Sequence, residues 1–347
     1  MQTLKRFETG QEDIPASIGW YLSDLGEARG KQELFRRQSP QTLKTLREHA
    51  VIESAVSSNR IEGVVVDQSR VRKIVLGQSK LQDRNEEEVR GYRDALRLIH
   101  EKHAELKVTN QTIRDLHRLA RGAVGDAGQH KKTDSDIIER YPNNSVRVRF
   151  KPVSAAETPR SLDSLLDQWK RCVEERWIHP LIALGAFSLD FLCIHPFRDG
   201  NGRVSRLLLL LQCYHLGYET GRFVSLERII EQHKERYYET LEIGSEGWHQ
   251  DRHDPWPHIG YILFVLKEAH RELEARVGQI KSPRGAKTEL IKSAVNAFSH
   301  DFTVAELEQA CPGVSRDMLR RVLAQLRKKG SLECHGRGPA ARWRKKR

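Results

Sequence analysis

Residues 195–206 read His195-Pro196-Phe197-Arg198-Asp199-Gly200-Asn201-Gly202-Arg203-Val204-Ser205-Arg206, and they lie between two apolar runs, Pro180 to Ile194 and Leu207 to Leu216. Both runs have helical length and few breakers, so the string is expected as a loop joining two buried helices. Gly200 and Gly202 carry no Cβ and tolerate positive φ, which lets the backbone N–H groups around Asn201 converge on one point. The helix that follows adds its own unpaired N–H groups and the positive end of its dipole. Such a turn cradles an anion. Arg203 and Arg206, three apart, are expected on one face of that helix and aimed at the same mouth, with donor geometry suited to phosphate oxygens. Asp199 conflicts with an anion site unless a hard cation such as Mg²⁺ stands between carboxylate and phosphates, so a metal-bound nucleotide fits best. His195, stiffened by Pro196, is the one group here that exchanges a proton near neutrality and is the candidate general base.

The string resembles the HPFx(D/E)GNGRxxR signature of Fic-domain proteins at all nine specified positions. The resemblance implies transfer of AMP from ATP to a hydroxyl side chain of a target protein, with release of pyrophosphate. It implies that His195 takes the proton of a Ser, Thr or Tyr hydroxyl and that Asp199 holds Mg²⁺. Gly200, Asn201 and Gly202 would cradle the phosphates, and Arg203 and Arg206 would neutralise them. Phe197 would anchor the loop in the core. No G-x-G-x-x-G or G-x-x-x-x-G-K-[ST] string occurs, so neither a Rossmann nor a P-loop reading applies.

Three further segments extend the resemblance. Ser58-x-x-x-Glu62-Gly63 ends a helical pattern that starts near Gln41, and it is similar to the inhibitory (S/T)xxxE(G/N) helix of one Fic subclass; the four-residue spacing is expected to place Ser58 and Glu62 on one face. The resemblance implies that Glu62 pairs with Arg206 and holds the enzyme nearly off. Thr133 to Ile138 and the alternating Val146-Arg147-Val148-Arg149-Phe150 read as a β-hairpin about Pro142-Asn143-Asn144. The family carries a flap at this place that docks the target as an added strand, and Asp136, Ile137 and Ile138 are the expected edge. Tyr237-Tyr238-Glu239-Thr240-Leu241 resembles the YYxxL stretch lining the family's adenine pocket, although Ser245 stands where relatives often have Asn.

Elsewhere the chain reads as packing and linkers. The first forty residues are expected as an irregular lead-in with short helical pieces. Asp83 to Lys107 reads as an amphipathic helix whose charges serve solubility, and His117 in the next helix reads as a packing residue. Five scattered cysteines indicate neither a disulfide framework nor a zinc cluster, which points to a reducing cytoplasm, and no segment is apolar enough to span a membrane. Of the formal charge of +12, residues 314–347 contribute +10, from twelve Lys or Arg against two acidic residues.

The expected fold is mainly α, with a Fic-type helical core, a β-hairpin flap and a C-terminal winged-helix domain. Residues 1–108 form an N-terminal helical region carrying the inhibitory motif, 109–278 the Fic core, 279–286 a linker and 287–347 the winged helix. ATP is the expected substrate, Mg²⁺ the expected ion, and a target protein the expected partner. DNA binding and protein docking stand open for the basic domain. Removal of AMP at the same site, a DNA-binding regulator with a nucleotide-sensing core, homo-oligomerisation and self-modification are left open as well.

Overall fold

Two helices buried on every side stand at the centre of the larger of two units. The computed structural model describes residues 3–346 except 11, 37–39, 141–144, 280–285, 299–300, 312–313, 337 and 339–340. It divides into two compact units, residues 1–277 and 278–347. In the first, α1 (Thr3–Phe7), α2 (Ala16–Arg36), α3 (Pro40–Ile61), α4 (Gln68–Val75), α5 (Arg84–Lys102) and α6 (Asn110–Arg121) precede a hairpin of β1 (Ile137–Arg140) and β2 (Val146–Phe150). Then come α7 (Thr158–Glu175), α8 (Pro180–Ile194), α9 (Asn201–His215), α10 (Leu226–Gln232), α11 (Lys234–Ser245) and α12 (Trp256–Gln279).

The central pair, α8 and α9, corresponds to the two apolar runs. All of Leu181 to Ile194 except Leu192 is buried, as is Arg203 to Tyr214. A helix without a polar face is stable only when other helices surround it. Capping sets the boundaries around the pair. Thr109 accepts from the Thr112 N–H at the start of α6, and Asp83 from the Glu86 N–H at the start of α5. Helix α3 ends where Gly63 takes φ +83° and the Val64 N–H returns to the Asn59 carbonyl at 2.9 Å.

Strands β1 and β2 pair antiparallel, with Ile138 opposite Val148 and Arg140 opposite Val146. The turn expected at Pro142 to Asn144 lies outside the described residues. The second unit contains α13 (Ala286–Ala297), β3 (Phe302–Thr303), α14 (Val304–Ala310), α15 (Arg316–Lys328), β4 (Leu332–His335) and β5 (Arg342–Lys345). Its sheet runs β3-β5-β4, and its separate core includes Ile291, Phe302, Leu307, Leu319 and Leu332. Among the described residues no helix is long and apolar enough to cross a membrane, and the five cysteines are unpaired.

Two expectations need correction. The lead-in is no string of short pieces, because Ala16–Arg36 is one helix of 21 residues. Its Gly19, Gly26 and Gly30 meet no packing atom within 4 Å of an ideal Cβ, so they interrupt the apolar pattern without breaking the helix. The charges of α5 are not only for solubility, since Glu86 and Glu88 are buried, Glu86 against Arg70 at 2.5 Å.

Helices α5 and α6 cross at Gly91, where an added Cβ would stand 2.0 Å from the Leu119 carbonyl oxygen. Gly91→Ala is therefore expected to destabilise the first unit by about 1–3 kcal/mol, as overpacked cores do. A urea midpoint unchanged by this substitution would show that the crossing has room to spare.

Candidate active site

Hydrogen bonds from outside and inside the loop fix residues 195–200. Asn201 closes it on itself: its Oδ1 accepts the Phe197 N–H at 2.9 Å and its Nδ2 donates to the Phe197 carbonyl at 2.8 Å. Phe197 is fully buried and stacks on His117, with ring centroids 3.7 Å apart and planes 2° from parallel. The Gly128 N–H donates to His117 Nδ1 at 2.8 Å, so Nε2 carries the proton that it gives to the Asp199 carbonyl at 2.9 Å. Burial lowers the His117 pKa to about 4, and the ring stays neutral. The expected packing residue is thus also a brace for the loop.

His195 caps α8 in the left-handed region, φ 53° and ψ 62°, a conformation that a non-glycine residue holds only when its surroundings impose it. Its N–H donates to the Phe191 carbonyl at 2.9 Å, and its Nδ1 lies 3.2 Å from the Leu192 carbonyl. That contact assigns the proton to Nδ1 and leaves the Nε2 lone pair free. Burial, with a further contribution from Lys131, lowers the imidazole pKa to about 4 against the opposing charges of Glu62 and Asp199. The ring is neutral at pH 7 and ready to accept a proton.

Gly200, at φ +85°, caps α9, and a Cβ there would come within 3.0 Å of Arg121 Cδ. The first carbonyl-directed bond of α9 is Val204 N–H to Gly200 O, so the N–H groups of residues 201–203 open onto the turn. A carboxylate occupies the space above them: Glu62 Oε1 lies 2.3 Å from where a Cβ on Gly202 would stand. That same oxygen accepts from Arg206 Nη2 at 2.7 Å. Arg206 also donates through Nε to Ser58 Oγ and through Nη2 to the Ser58 carbonyl, both at 2.9 Å, while its buried Nη1 has no partner. Burial opposes the charge, yet Glu62 and the neighbouring tyrosines leave the Arg206 pKa raised. Glu62 itself falls in the turn after α3 rather than on the helical face with Ser58, because α3 stops at Ile61.

Arg203 corrects the expectation of two arginines in one mouth. It is 1% exposed and turned inward, Nη1 donating to Glu88 Oε2 at 2.6 Å and to Asn59 Oδ1 at 3.3 Å. Glu88 also receives Arg121 at 2.8 Å and Arg84 at 3.0 Å, and Arg121 reaches on to Asp199 Oδ2 at 2.8 Å. Sequence reasoning missed Glu88 and Arg121. Glu88 lies in a helix whose charges read as solvated, and Arg121 carries no signal in the helix that follows.

Glu62, His195, Gly202, Tyr237, Tyr238, Ser245 and the edge residues Asp136, Ile137 and Ile138 all line one cleft of about 470 Å³. Tyr237 is buried, and the Tyr238 hydroxyl donates to the Ile61 carbonyl at 3.4 Å. Arg147 and Arg149 of β2 both grip Glu242 of α11, at 2.9 and 2.7 Å, so one face of the hairpin is tied to the helix that carries the tyrosines. Ile138, Val146 and Val148 are exposed.

Glu88→Ala would leave Arg203 and Arg121 buried without their carboxylate, and a loss of about 3–5 kcal/mol is expected in equilibrium unfolding. A change within 0.5 kcal/mol, the range of ordinary surface substitutions, would remove Glu88 as the centre of the network.

Residues 107–213 match the family model described as "Fic/DOC family". A Caenorhabditis elegans protein named protein adenylyltransferase fic-1 is 28% identical over 207 residues, covering 57% of this chain and 35% of that protein. A Culex quinquefasciatus protein adenylyltransferase Fic is 25% identical over 142 residues, 40% of this chain; the match spans a quarter of that relative's length (25%). Among solved structures, a Fic family protein from Desulfovibrio desulfuricans G20 superposes with a TM-score of 0.64 at 23% identity over 96% of this chain and 97% of its own. Fic-1 from C. elegans gives a TM-score of 0.58 at 21% identity, covering 76% of this chain and 74% of its own. Residues 107–213, with the loop of residues 195–206 toward their C-terminal end, are the part of this chain that is similar to the Fic/DOC family.

Proposed function

We propose that this chain transfers AMP from ATP to a Ser, Thr or Tyr hydroxyl of a target protein. The observation that carries the reading is the meeting, in one cleft, of a neutral imidazole with free Nε2 and a glycine-lined helix N-terminus. In the proposed step the target oxygen attacks the α-phosphorus of ATP and its proton passes to His195 Nε2. The bond from the α-phosphorus to the bridging oxygen breaks, and pyrophosphate leaves. The open N–H groups of residues 201–203 would bind the phosphates. Tyr237 and Tyr238 offer aromatic faces to a purine. The outer edge of β1, at Asp136 to Ile138, would receive the target as an added strand.

The donor set suits Mg²⁺. Asp199 has a carboxylate side chain 55% exposed, and no group of three His, Cys, Asp or Glu that could hold a metal occurs among the described residues. A lone carboxylate beside a phosphate site matches an ion that keeps most of its coordination to substrate oxygens and water. Bound there, Mg²⁺ would neutralise charge on the phosphates. Arg121 and the Gly200 N–H hold the Asp199 carboxylate in place.

Glu62 sets the resting state in this reading. Its carboxylate stands over Gly202 and engages Arg206, so it would repel a phosphate and occupy the cation that a phosphate needs. The second unit is read as a winged helix that binds DNA. Arg320, Arg321 and Lys328 are exposed along α15, and Arg342 and Lys345 are exposed on β5, which is the charge distribution a phosphate backbone requires.

With ATP labelled at the α-phosphate, the Glu62→Gly protein is expected to label itself or an added protein at least tenfold faster than the parent chain. His195→Ala in that background should abolish the label, and label that persists would remove His195 as the base. For the second unit, DNA affinity in the full chain should fall steeply with added salt and drop further with Arg321→Glu and Lys328→Glu. Salt-insensitive binding, or none, would count against the DNA reading.

A further inference from the structure

Lys131 is a buried cation that the proposed reaction does not use. Only 5% of it is exposed. Its backbone N–H donates to the Pro196 carbonyl at 2.9 Å, and its Nζ donates to the Ile194 carbonyl at 3.1 Å. Those two carbonyls flank His195. One residue therefore ties down the peptide groups on both sides of the left-handed turn that aims the imidazole. The ammonium also sits at the C-terminal end of α8, where carbonyl groups lack partners within the helix and the dipole favours a cation. Burial lowers the Lys131 pKa to about 8, with Asp134 opposing, so it remains mostly charged at neutral pH.

We propose that Lys131 is a positioning residue for the base, fixing the backbone turn at His195 and biasing its imidazole toward the proton-free form by its charge. The proposal rests on the reading of His195 as the base. The Leu192 carbonyl, Glu62 from the turn after α3 and Asp199 from its own loop favour the protonated ring, and Lys131 opposes them; Asp136, Glu139, Arg149 and Glu242 line the same cleft. Arg198 lines the same cleft wall, and Cys193 beside it is held in the neutral thiol form by burial. Lys131 reaches His195 through its two neighbouring carbonyls rather than by touching Nε2, which leaves that atom open to a hydroxyl.

The test is an NMR titration of His195 in the full chain, which needs no turnover. Lys131→Gln keeps a hydrogen-bond donor for Ile194 and removes the charge; Lys131→Met removes both; Lys131→Arg keeps the charge. The imidazole midpoint is expected to rise by about one pH unit in the Gln and Met variants and to stay in place in the Arg variant. In the Glu62→Gly background the acid limb of AMP transfer should move up by the same amount. A merely structural brace would lower the rate equally at every pH. An unmoved midpoint in Lys131→Gln, or an equal rise in Lys131→Arg, would overturn the proposal. If Lys131→Met fails to fold, the Gln variant carries the test. If the Glu62→Gly protein with Lys131 intact transfers no AMP, the reaction assigned above fails, while the titration still decides whether the Lys131 charge lowers the imidazole midpoint.

Discussion

The buried carboxylate of Glu88 is the point on which the architecture of the site turns. It compensates Arg203 from the first turn of α9 and Arg121 from the last turn of α6, and Arg121 in turn orients Asp199. Two guanidinium groups held this far from water are tolerated only with a carboxylate in hydrogen-bonding contact. The same ion network therefore ties the start of α9 to the end of α6 and sets which way the Asp199 carboxylate points. Arg203 adds Asn59 of α3 to the group, so the segment bearing Glu62 is registered against the same centre.

Much of the central site was legible because its residues are contiguous. The string from His195 to Arg206 specifies a turn by its glycines and a candidate base by its only histidine, and the helices on either side announce themselves by unbroken apolar character. Arg203 was misread because a helical repeat of three or four residues gives direction around the axis but not depth. On a helix buried all round, every direction is interior, and only the partner decides where a charge is satisfied. Glu88 was hidden for the opposite reason: its neighbours Asn85, Glu86 and Glu87 make it look like one more charge on a wet face. His117 was placed on the apolar side correctly, but its stacking on Phe197 joins residues 80 positions apart, which no local pattern carries.

The flap shows how strand alternation separates two tasks. Arg147 and Arg149, two apart, lie on one side and share Glu242, while Val146 and Val148 lie on the other side and meet solvent. The same α11 that supplies Tyr237 and Tyr238 thus fixes the height of the hairpin over the cleft. If β1 receives a target strand as proposed, backbone pairing makes little demand on sequence, and any preference among target segments would have to come from the exposed apolar side.

In the proposed reaction Gly202 would provide one seat for two tenants. The missing Cβ that would let a phosphate approach the α9 backbone in the proposed reaction is the same vacancy that admits the Glu62 carboxylate. No substitution at this position can separate the two, since any side chain large enough to evict the glutamate also fills the phosphate's place. On the proposed reading, adjusting how tightly Glu62 restrains the site would be left to the other side of the contact, the turn at the end of α3. There a change of one residue alters the occupant without altering the seat.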